Sequence, residues 1–400
     1  MLADLWKYAT TREPRNQVLW LHGPAGAGKS AIMWSLCERL QGAERLGAAF
    51  FFKRGHSTRG NARVLFSTIA YRLALRIPSL KGPISRAVEN DPSLVSSTPE
   101  IQFQQLILGP CQSRADRGPA IIIIDGLDEC EGQQMQQEIL RILGSYQHHN
   151  WIRILIASRP EAHISEITSM GSAYLPFNVK QSFEDVQRYL VDEFARIRQA
   201  HARNVPTPWP SHEELETLVH KSSGHFIYAS TVIKFVDDPH FRPTTRLAAI
   251  VGNRTESEFE TPFGALDQLY TQILCAIPKN NKLVNILGII AYFPARFSPL
   301  DIDQLLEFEP GDTVLALHGL SSLVHLDNKN YVWWHHASFG DFLCNPIRAG
   351  RFYVGELASR MDLARSVLNA LSSLDFGPAV AWRISWNWIK YVIESVPPSA

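Results

Sequence analysis

Gly23-Pro24-Ala25-Gly26-Ala27-Gly28-Lys29-Ser30 decides the fold of this chain. The octapeptide is a complete G-x-x-x-x-G-K-S loop. Val18-Leu19-Trp20-Leu21 before it reads as a strand, and Ala31-Ile32-Met33-Trp34-Ser35-Leu36-Cys37 after it reads as a helix. A glycine-rich turn between a strand and a helix makes a phosphate cradle. Gly23, Gly26 and Gly28 are expected to take torsions that a Cβ resists. The amides from Gly23 through Ala31 then wrap an anion, and the helix adds the positive end of its dipole. Lys29 is placed for the β- and γ-phosphates, and Ser30 offers its hydroxyl to Mg²⁺.

The second half of a nucleotide site lies about a hundred residues on. Ala120-Ile121-Ile122-Ile123-Ile124 is apolar and largely β-branched, as a central parallel strand requires. It runs into Asp125, whose carboxylate would hold Mg²⁺ directly or through water. Asp128 and Glu129 follow. Either one orients or deprotonates an attacking water, or the pair caps the helix after Gly132.

Ala48-Ala49-Phe50-Phe51-Phe52 and residues 152–157 read as further strands, and 64–75 as a helix. Tyr174-Leu175-Pro176-Phe177 reads as an edge strand, because Pro176 cannot donate to a ladder. Strands alternating with helices predict an α/β nucleotide-binding domain over 18–179, a parallel sheet with flanking helices. Residues 1–17 are a lead-in. Residues 180–260 read as a helical subdomain and linker. Capping boxes at Ser182-Phe183-Glu184-Asp185 and Ser211-His212-Glu213-Glu214 open two helices, 225–235 forms another, and 237–262 is polar and irregular. Residues 261–350 predict a winged helix. Helices lead to Ser298-Pro299, an N-cap followed by proline at the first helical position. A hairpin of Leu323-Val324-His325-Leu326 and Tyr331-Val332-Trp333-Trp334 follows. The remaining 351–400 reads as helical, with Trp382, Trp386 and Trp388 clustered.

The 39 basic and 39 acidic residues among 400 cancel, so no global basic excess points to nucleic acid. The five cysteines, Cys37, Cys111, Cys130, Cys275 and Cys344, show no metal-ligand spacing and suit reduced thiols in a cytoplasmic protein. No secretory pattern opens the chain. The longest apolar stretch, near 284–293, is too short for a membrane span.

Asp125-Gly126-Leu127-Asp128-Glu129 resembles the Walker B motif of NACHT-domain NTPases. These belong to the signal-transducing ATPases with numerous domains (the STAND class) and are relatives of the NOD-like receptors. Four further segments resemble the fungal branch, including its nephrocystin-like members. They are Gly47-Ala48-Ala49-Phe50-Phe51-Phe52-Lys53-Arg54, Ile156-Ala157-Ser158-Arg159-Pro160-Glu161, Ser222-Ser223-Gly224-His225-Phe226-Ile227-Tyr228-Ala229 and His335-His336-Ala337-Ser338-Phe339-Gly340-Asp341-Phe342-Leu343. The resemblance spans residues 18–343. It implies an ATP/ADP switch with Mg²⁺, slow hydrolysis, self-association on activation, and effector or sensor domains outside this stretch, in signalling of the innate-immune type. By position it implies that Arg159 is the sensor arginine that reads the γ-phosphate; the alternative is an ion pair with Glu161 or another acid. It implies that His336 meets the β-phosphate of ADP; the alternative is a hydrogen-bonded core histidine beside Trp333 and Trp334, and His335 is its rival. Many relatives pack a proline near Gly224 on adenine, but this chain has His225-Phe226. Base contact then falls to Phe226, to the segment before Val18, or to neither. The lack of an N-K-x-D motif leans toward ATP over GTP. A nucleotide-binding scaffold without hydrolysis and a constitutive AAA-like ATPase are the competing functions.

Overall fold

The computed structural model describes residues 1–11, 18–54, 56, 58–112, 119–145, 152–170, 172–179, 183–202, 205–252, 264–277, 282–292, 297–355 and 365–366. The chain divides into two compact units, Met1–Lys180 and Gln181–Ala400.

In the first unit, α1 (Leu2–Thr10) precedes β1 (Val18–His22), the glycine loop and α2 (Lys29–Gly42). Then come β2 (Leu46–Phe51), α3 (Leu65–Arg76), α4 (Pro78–Asn90), β3 (Ala120–Asp125), α5 (Gln133–Gly144), β4 (Ile152–Ser158), α6 (Ala162–Ser169) and β5 (Tyr174–Asn178). The strands form a sheet in the order β2-β3-β4-β1-β5, every pairing parallel. The isoleucine run explains why β3 is central. Ile122 and Ile124 enter a core with Trp20, Phe66 and Ile154, whereas Ile121 and Ile123 enter a second core with Leu21, Met33 and Leu155. Successive side chains point to opposite faces, so only a strand covered on both sides can hold four isoleucines in a row. Each is worth about 1.5–3 kcal/mol when fully buried.

Parallel strands all end on one side, and the loops after β1, β3 and β4 meet there. β5 closes one edge, as Pro176 requires. Val179 N donates to His22 O at 2.8 Å. By two-residue alternation the nitrogen of Pro176 therefore faces away from β1. Before β1, α1 is docked by buried Arg153 of β4, whose Nη1 donates to the carbonyls of Tyr8 (2.8 Å), Ala9 (3.1 Å) and Thr11 (2.7 Å). A guanidinium on the carbonyl end of a helix satisfies groups that the helix itself leaves unpaired.

The second unit contains α7 (Phe183–Ala200), α8 (His212–Ser222), α9 (Phe226–Val236), α10 (Pro243–Val251), α11 (Gly264–Cys275), α12 (Leu283–Tyr292), α13 (Pro299–Leu305), α14 (Asp312–Leu317), β6 (Val324–Leu326), β7 (Val332–Trp334) and α15 (Ala337–Leu343). β6 and β7 form the expected antiparallel wing. Ser298 caps α13 with Pro299 in its first turn. The Ser182 half of the first capping box lies outside the described residues, as do Trp382, Trp386, Trp388 and nearly all of 356–400.

One expectation is corrected. Residues 237–262 are not irregular throughout, because α10 occupies Pro243–Val251. Pro243 starts it, Leu247 and Ile250 enter the core, and Arg246 lies over the rings of Phe235 and Phe241. One of the polar residues of this stretch, Arg246, has its charge used inside.

At α8, Glu214 N donates to Ser211 Oγ (3.1 Å), and Ser211 N donates to Glu214 Oε2 (2.7 Å). Ser211→Ala is expected to cost about 1 kcal/mol. A lower urea midpoint with an unchanged slope would report it.

Candidate nucleotide site

The glycine loop has two distinct steric reasons for its glycines. Gly26 (φ +75°) and Gly28 (φ +84°) are left-handed, as expected. Gly23 is not among the positive-φ glycines. Its need is space: a Cβ there would sit 3.2 Å from Val179 Cβ and 3.4 Å from Ala27 Cβ. The torsional reason given for Gly23 is therefore replaced by a packing one.

Gly28 is the N-cap of α2, and no side chain caps that helix. Its first-turn amides, those of Ser30 and Ala31 among them, have no side-chain acceptor competing with an anion. Lys29 curls back over the loop, donating from Nζ to Gly23 O (2.7 Å) and Pro24 O (2.9 Å). Burial lowers its pKa, opposed by Asp128, Asp125 and Glu129. The loop is thus held in shape by the side chain that would meet phosphate. Pro24, Ala25 and Ala27 complete its path, with both alanines buried.

At the end of β3, Asp125 is 4% exposed. Its Oδ1 has no hydrogen-bond partner. Burial, joined by the charges of Glu129 and Asp128, pushes its carboxyl up to about 7 against a hydrogen bond from Ser30. A buried, half-satisfied carboxylate beside a serine hydroxyl is costly unless a cation completes it. Oxygen donors of this kind fit Mg²⁺. The residues present therefore fit both the phosphate and the metal.

Gly126 (φ +71°) turns the chain into a short 3₁₀ segment, Leu127–Glu129. That turn separates the two acids. Asp128 Oδ1 accepts from Arg159 N at 3.0 Å, and Oδ2 lies 3.1 Å from Arg159 Nε. Glu129 Oε2 accepts from Arg54 N at 3.2 Å, and burial with the Asp128 charge raises its pKa. Neither acid caps α5, whose N-cap is Gly132 without a side-chain bond. Arg159 has an acid partner, and it is Asp128, not Glu161.

Two polar residues absent from the sequence reading complete this region. Gln136, buried in the first turn of α5, donates from Nε2 to Cys130 O (2.7 Å) and Asp128 O (3.4 Å). His163 Nε2 lies 2.6 Å from Gln136 Oε1. The signal for Gln136 was its spacing with Ile139, Leu140 and Leu143, which puts it on the apolar stripe of α5. His163, two residues into α6, carried no such signal.

In the second unit, Ser338 N donates to His336 Nδ1 at 3.1 Å, making His336 the N-cap of α15. That nitrogen is an acceptor, so the neutral ring carries its proton on Nε2. Ser338 Oγ links His336 Nδ1 (2.6 Å) to Tyr270 Oη (2.7 Å). His335 donates from Nε2 to Ser321 O (2.9 Å), stacks on His325, and is pushed down to about 4, chiefly by burial and then by Lys234. Phe226 packs edge-on against Tyr189, and His225 is buried.

Residues 4–159 match the Nephrocystin 3, N-terminal family. This match, with the likeness to a fungal relative, supports a NACHT-type STAND classification. The matched segment contains the glycine loop, the Asp125-to-Glu129 turn and Arg159. Over 351 residues the chain is 22% identical to the vegetative incompatibility protein HET-E-1 of Podospora anserina, covering 82% of this chain and 24% of that protein. The chain thus spans about a quarter of the length of that curated relative. Among solved structures, Cdc6p from Pyrobaculum aerophilum aligns with 88% of this chain and 92% of its own at 13% identity and a TM-score of 0.38. A chain of Drosophila ORC bound to DNA aligns with 82% of this chain and 81% of its own, at 14% identity and a TM-score of 0.36. Scores this low say nothing about what this chain binds. No helix among the described residues is long and apolar enough to cross a membrane.

Proposed function

We propose that this chain is an ATP/ADP-binding, slowly hydrolysing switch whose nucleotide state controls self-association in a signalling protein. The observation that carries this reading is the buried, unpaired Asp125 Oδ1 beside Ser30, at the foot of a complete glycine loop. Ser30 and Asp125 would hold Mg²⁺, which when bound neutralises charge on the phosphate oxygens. Loop amides, the α2 N-terminus and Lys29 bind and orient the phosphates. Glu129 takes the water-activating role, because its carboxylate accepts a backbone N–H bond from Arg54 and burial raises its proton affinity. Asp128 holds Arg159 through two contacts. A γ-phosphate would compete with that carboxylate for the guanidinium, which couples the third phosphate to the loop after β4. The reading also assigns His336 to the ADP state, as the family resemblance implies.

Inverting a two-state population from 1:99 to 99:1 takes about 5.5 kcal/mol of differential binding. One charge-assisted hydrogen bond supplies about 1.5–3 kcal/mol. Arg159 alone is therefore too weak, and the switch needs several groups.

Lys29→Ala tests the binding half. Mg-ATP affinity by calorimetry is expected to fall about 10–150-fold, the equivalent of one charge-assisted bond. Because Lys29 also ties down Gly23 and Pro24, the thermal midpoint of the nucleotide-free variant is measured alongside. Unchanged affinity would sink the reading. Size-exclusion profiles with ADP and with a non-hydrolysable ATP analogue test the switching half: identical profiles would leave a nucleotide-binding scaffold, the function favoured by Asp128 being fully committed to Arg159.

A further inference from the structure

The turn that carries Asp128 and Glu129 is held from behind by a pair of side chains that the nucleotide reading does not use. Gln136 is 4% exposed, so its amide is inside the first unit and every polar atom on it has to be matched. Its two bonds from Nε2 go to carbonyl oxygens, those of Cys130 and Asp128. Carbonyls only accept, so the amide orientation is settled: nitrogen toward the turn, oxygen toward His163. Oε1 then has to accept, and His163 at 2.6 Å has to donate from Nε2. The chain of donors runs one way, from the imidazole to the glutamine to the backbone of the acidic turn.

This chain closes a loop in the structure. His163 belongs to the first turn of α6, four residues beyond Arg159. Arg159 reaches the same turn from the other side, through the Asp128 carboxylate. The turn after β3 and the loop after β4 are therefore joined twice. One link uses the Asp128 side chain; the other uses the carbonyls on either side of Glu129. A carboxylate that activates water has to be held within about half an ångström of its working position. The backbone on each side of Glu129 is fixed by Gln136, and Gln136 is fixed by His163.

We propose that Gln136 and His163 are positioning residues for nucleotide hydrolysis, acting together on the Glu129 backbone and not on the bound nucleotide. The inference rests on the hydrolytic reading above and adds two residues to it. It makes three demands. Removing the clamp slows the chemical step and leaves phosphate binding alone, because Lys29 is anchored on the carbonyls of Gly23 and Pro24, and Ser30 on Asp125, independently of either residue. A side chain that still donates to Gln136 Oε1 restores the rate. The two residues act as one unit, so removing both costs little more than removing Gln136.

The experiment is single-turnover hydrolysis of Mg-ATP by the full 400-residue chain, with nucleotide affinity from calorimetry and thermal midpoints for every variant. His163→Ala is the gentle variant, because its side chain is partly exposed. It is expected to slow the chemical step about tenfold, the lower end of what supporting shells contribute, with Mg-ATP affinity within about twofold. His163→Gln, whose amide can donate, is expected to recover most of the rate. Gln136→Ala is expected to match or exceed the loss in His163→Ala, with the double variant no worse than Gln136→Ala alone. An unchanged rate in His163→Ala overturns the proposal while leaving the nucleotide reading standing. A rate and affinity that fall together, or a His163→Gln as slow as His163→Ala, also overturn it. Wild-type protein that binds Mg-ATP without hydrolysing it overturns both the clamp and the hydrolytic half of the function, and leaves binding intact.

Discussion

Glu129→Gln leaves Mg-ATP binding within about twofold of wild type and slows single-turnover hydrolysis by about 10²–10⁴-fold, the usual contribution of a positioned general base. Asp128→Asn behaves differently. It removes the charge that competes with a γ-phosphate for Arg159, so Mg-ATP affinity rises as the guanidinium is released from its carboxylate partner. The contrast follows from geometry. Both Asp128 oxygens are spent on Arg159, whereas among the described residues Glu129 accepts from the backbone N–H of Arg54. Burial and the Asp128 charge raise the Glu129 pKa, so the wild-type rate increases with pH as its carboxyl loses the proton. Wild-type turnover in Glu129→Gln would show that hydrolysis does not run through this carboxylate.

Asp125→Asn produces a second large effect, and a counter-intuitive one. The Asp125 carboxyl is pushed up to about 7. An unfolded aspartate ionises near ~3.9. Between those values the folded chain holds a proton that the unfolded chain has released, so stability falls as pH rises through this window. At pH 8 the ionised, buried group costs the nucleotide-free chain on the order of 4 kcal/mol at most. Asparagine keeps an acceptor for Ser30 and removes the charge. The variant is therefore more stable than wild type at pH 8 without nucleotide, and the two converge toward pH 4. It also loses the gain in ATP affinity that Mg²⁺ confers, while in wild type that gain grows as pH rises through 7. Urea unfolding at pH 5 and pH 8, with calorimetry in the presence and absence of Mg²⁺, reads both effects. A variant less stable than wild type at pH 8 would show that Asp125 contributes structure in its charged form and is not kept as a cation ligand.

The parts of this molecule that were legible from sequence are those where local chemistry has a single solution. Four consecutive isoleucines need a strand covered on both faces. A glycine followed by Lys29-Ser30 needs a left-handed turn into a helix. Ser211 and Ser298 with an acid three residues on need helix starts, and both are capping boxes. Pro176 needs an edge. What escaped reading depends on pairings across long separations. Arg159 meets Asp128 across 31 positions, and Arg153 meets the end of α1 across more than 140. Neither partner advertises the other. Gly23 was legible as a glycine but not for its cause, since Val179 comes from the far end of the unit. Residues 237–262 misled because a polar composition hid Arg246 over two rings.

The outward-facing nitrogen of Pro176 has an effect beyond its own strand. A sheet lengthens by offering amide hydrogens to a newcomer, and here the middle of the outermost ribbon offers none. If copies of this protein met along that margin, they could not zip together there into a continuous ladder. Any assembly on this side has to be built from side chains meeting side chains, and a fibril of shared strands is closed off before it can start.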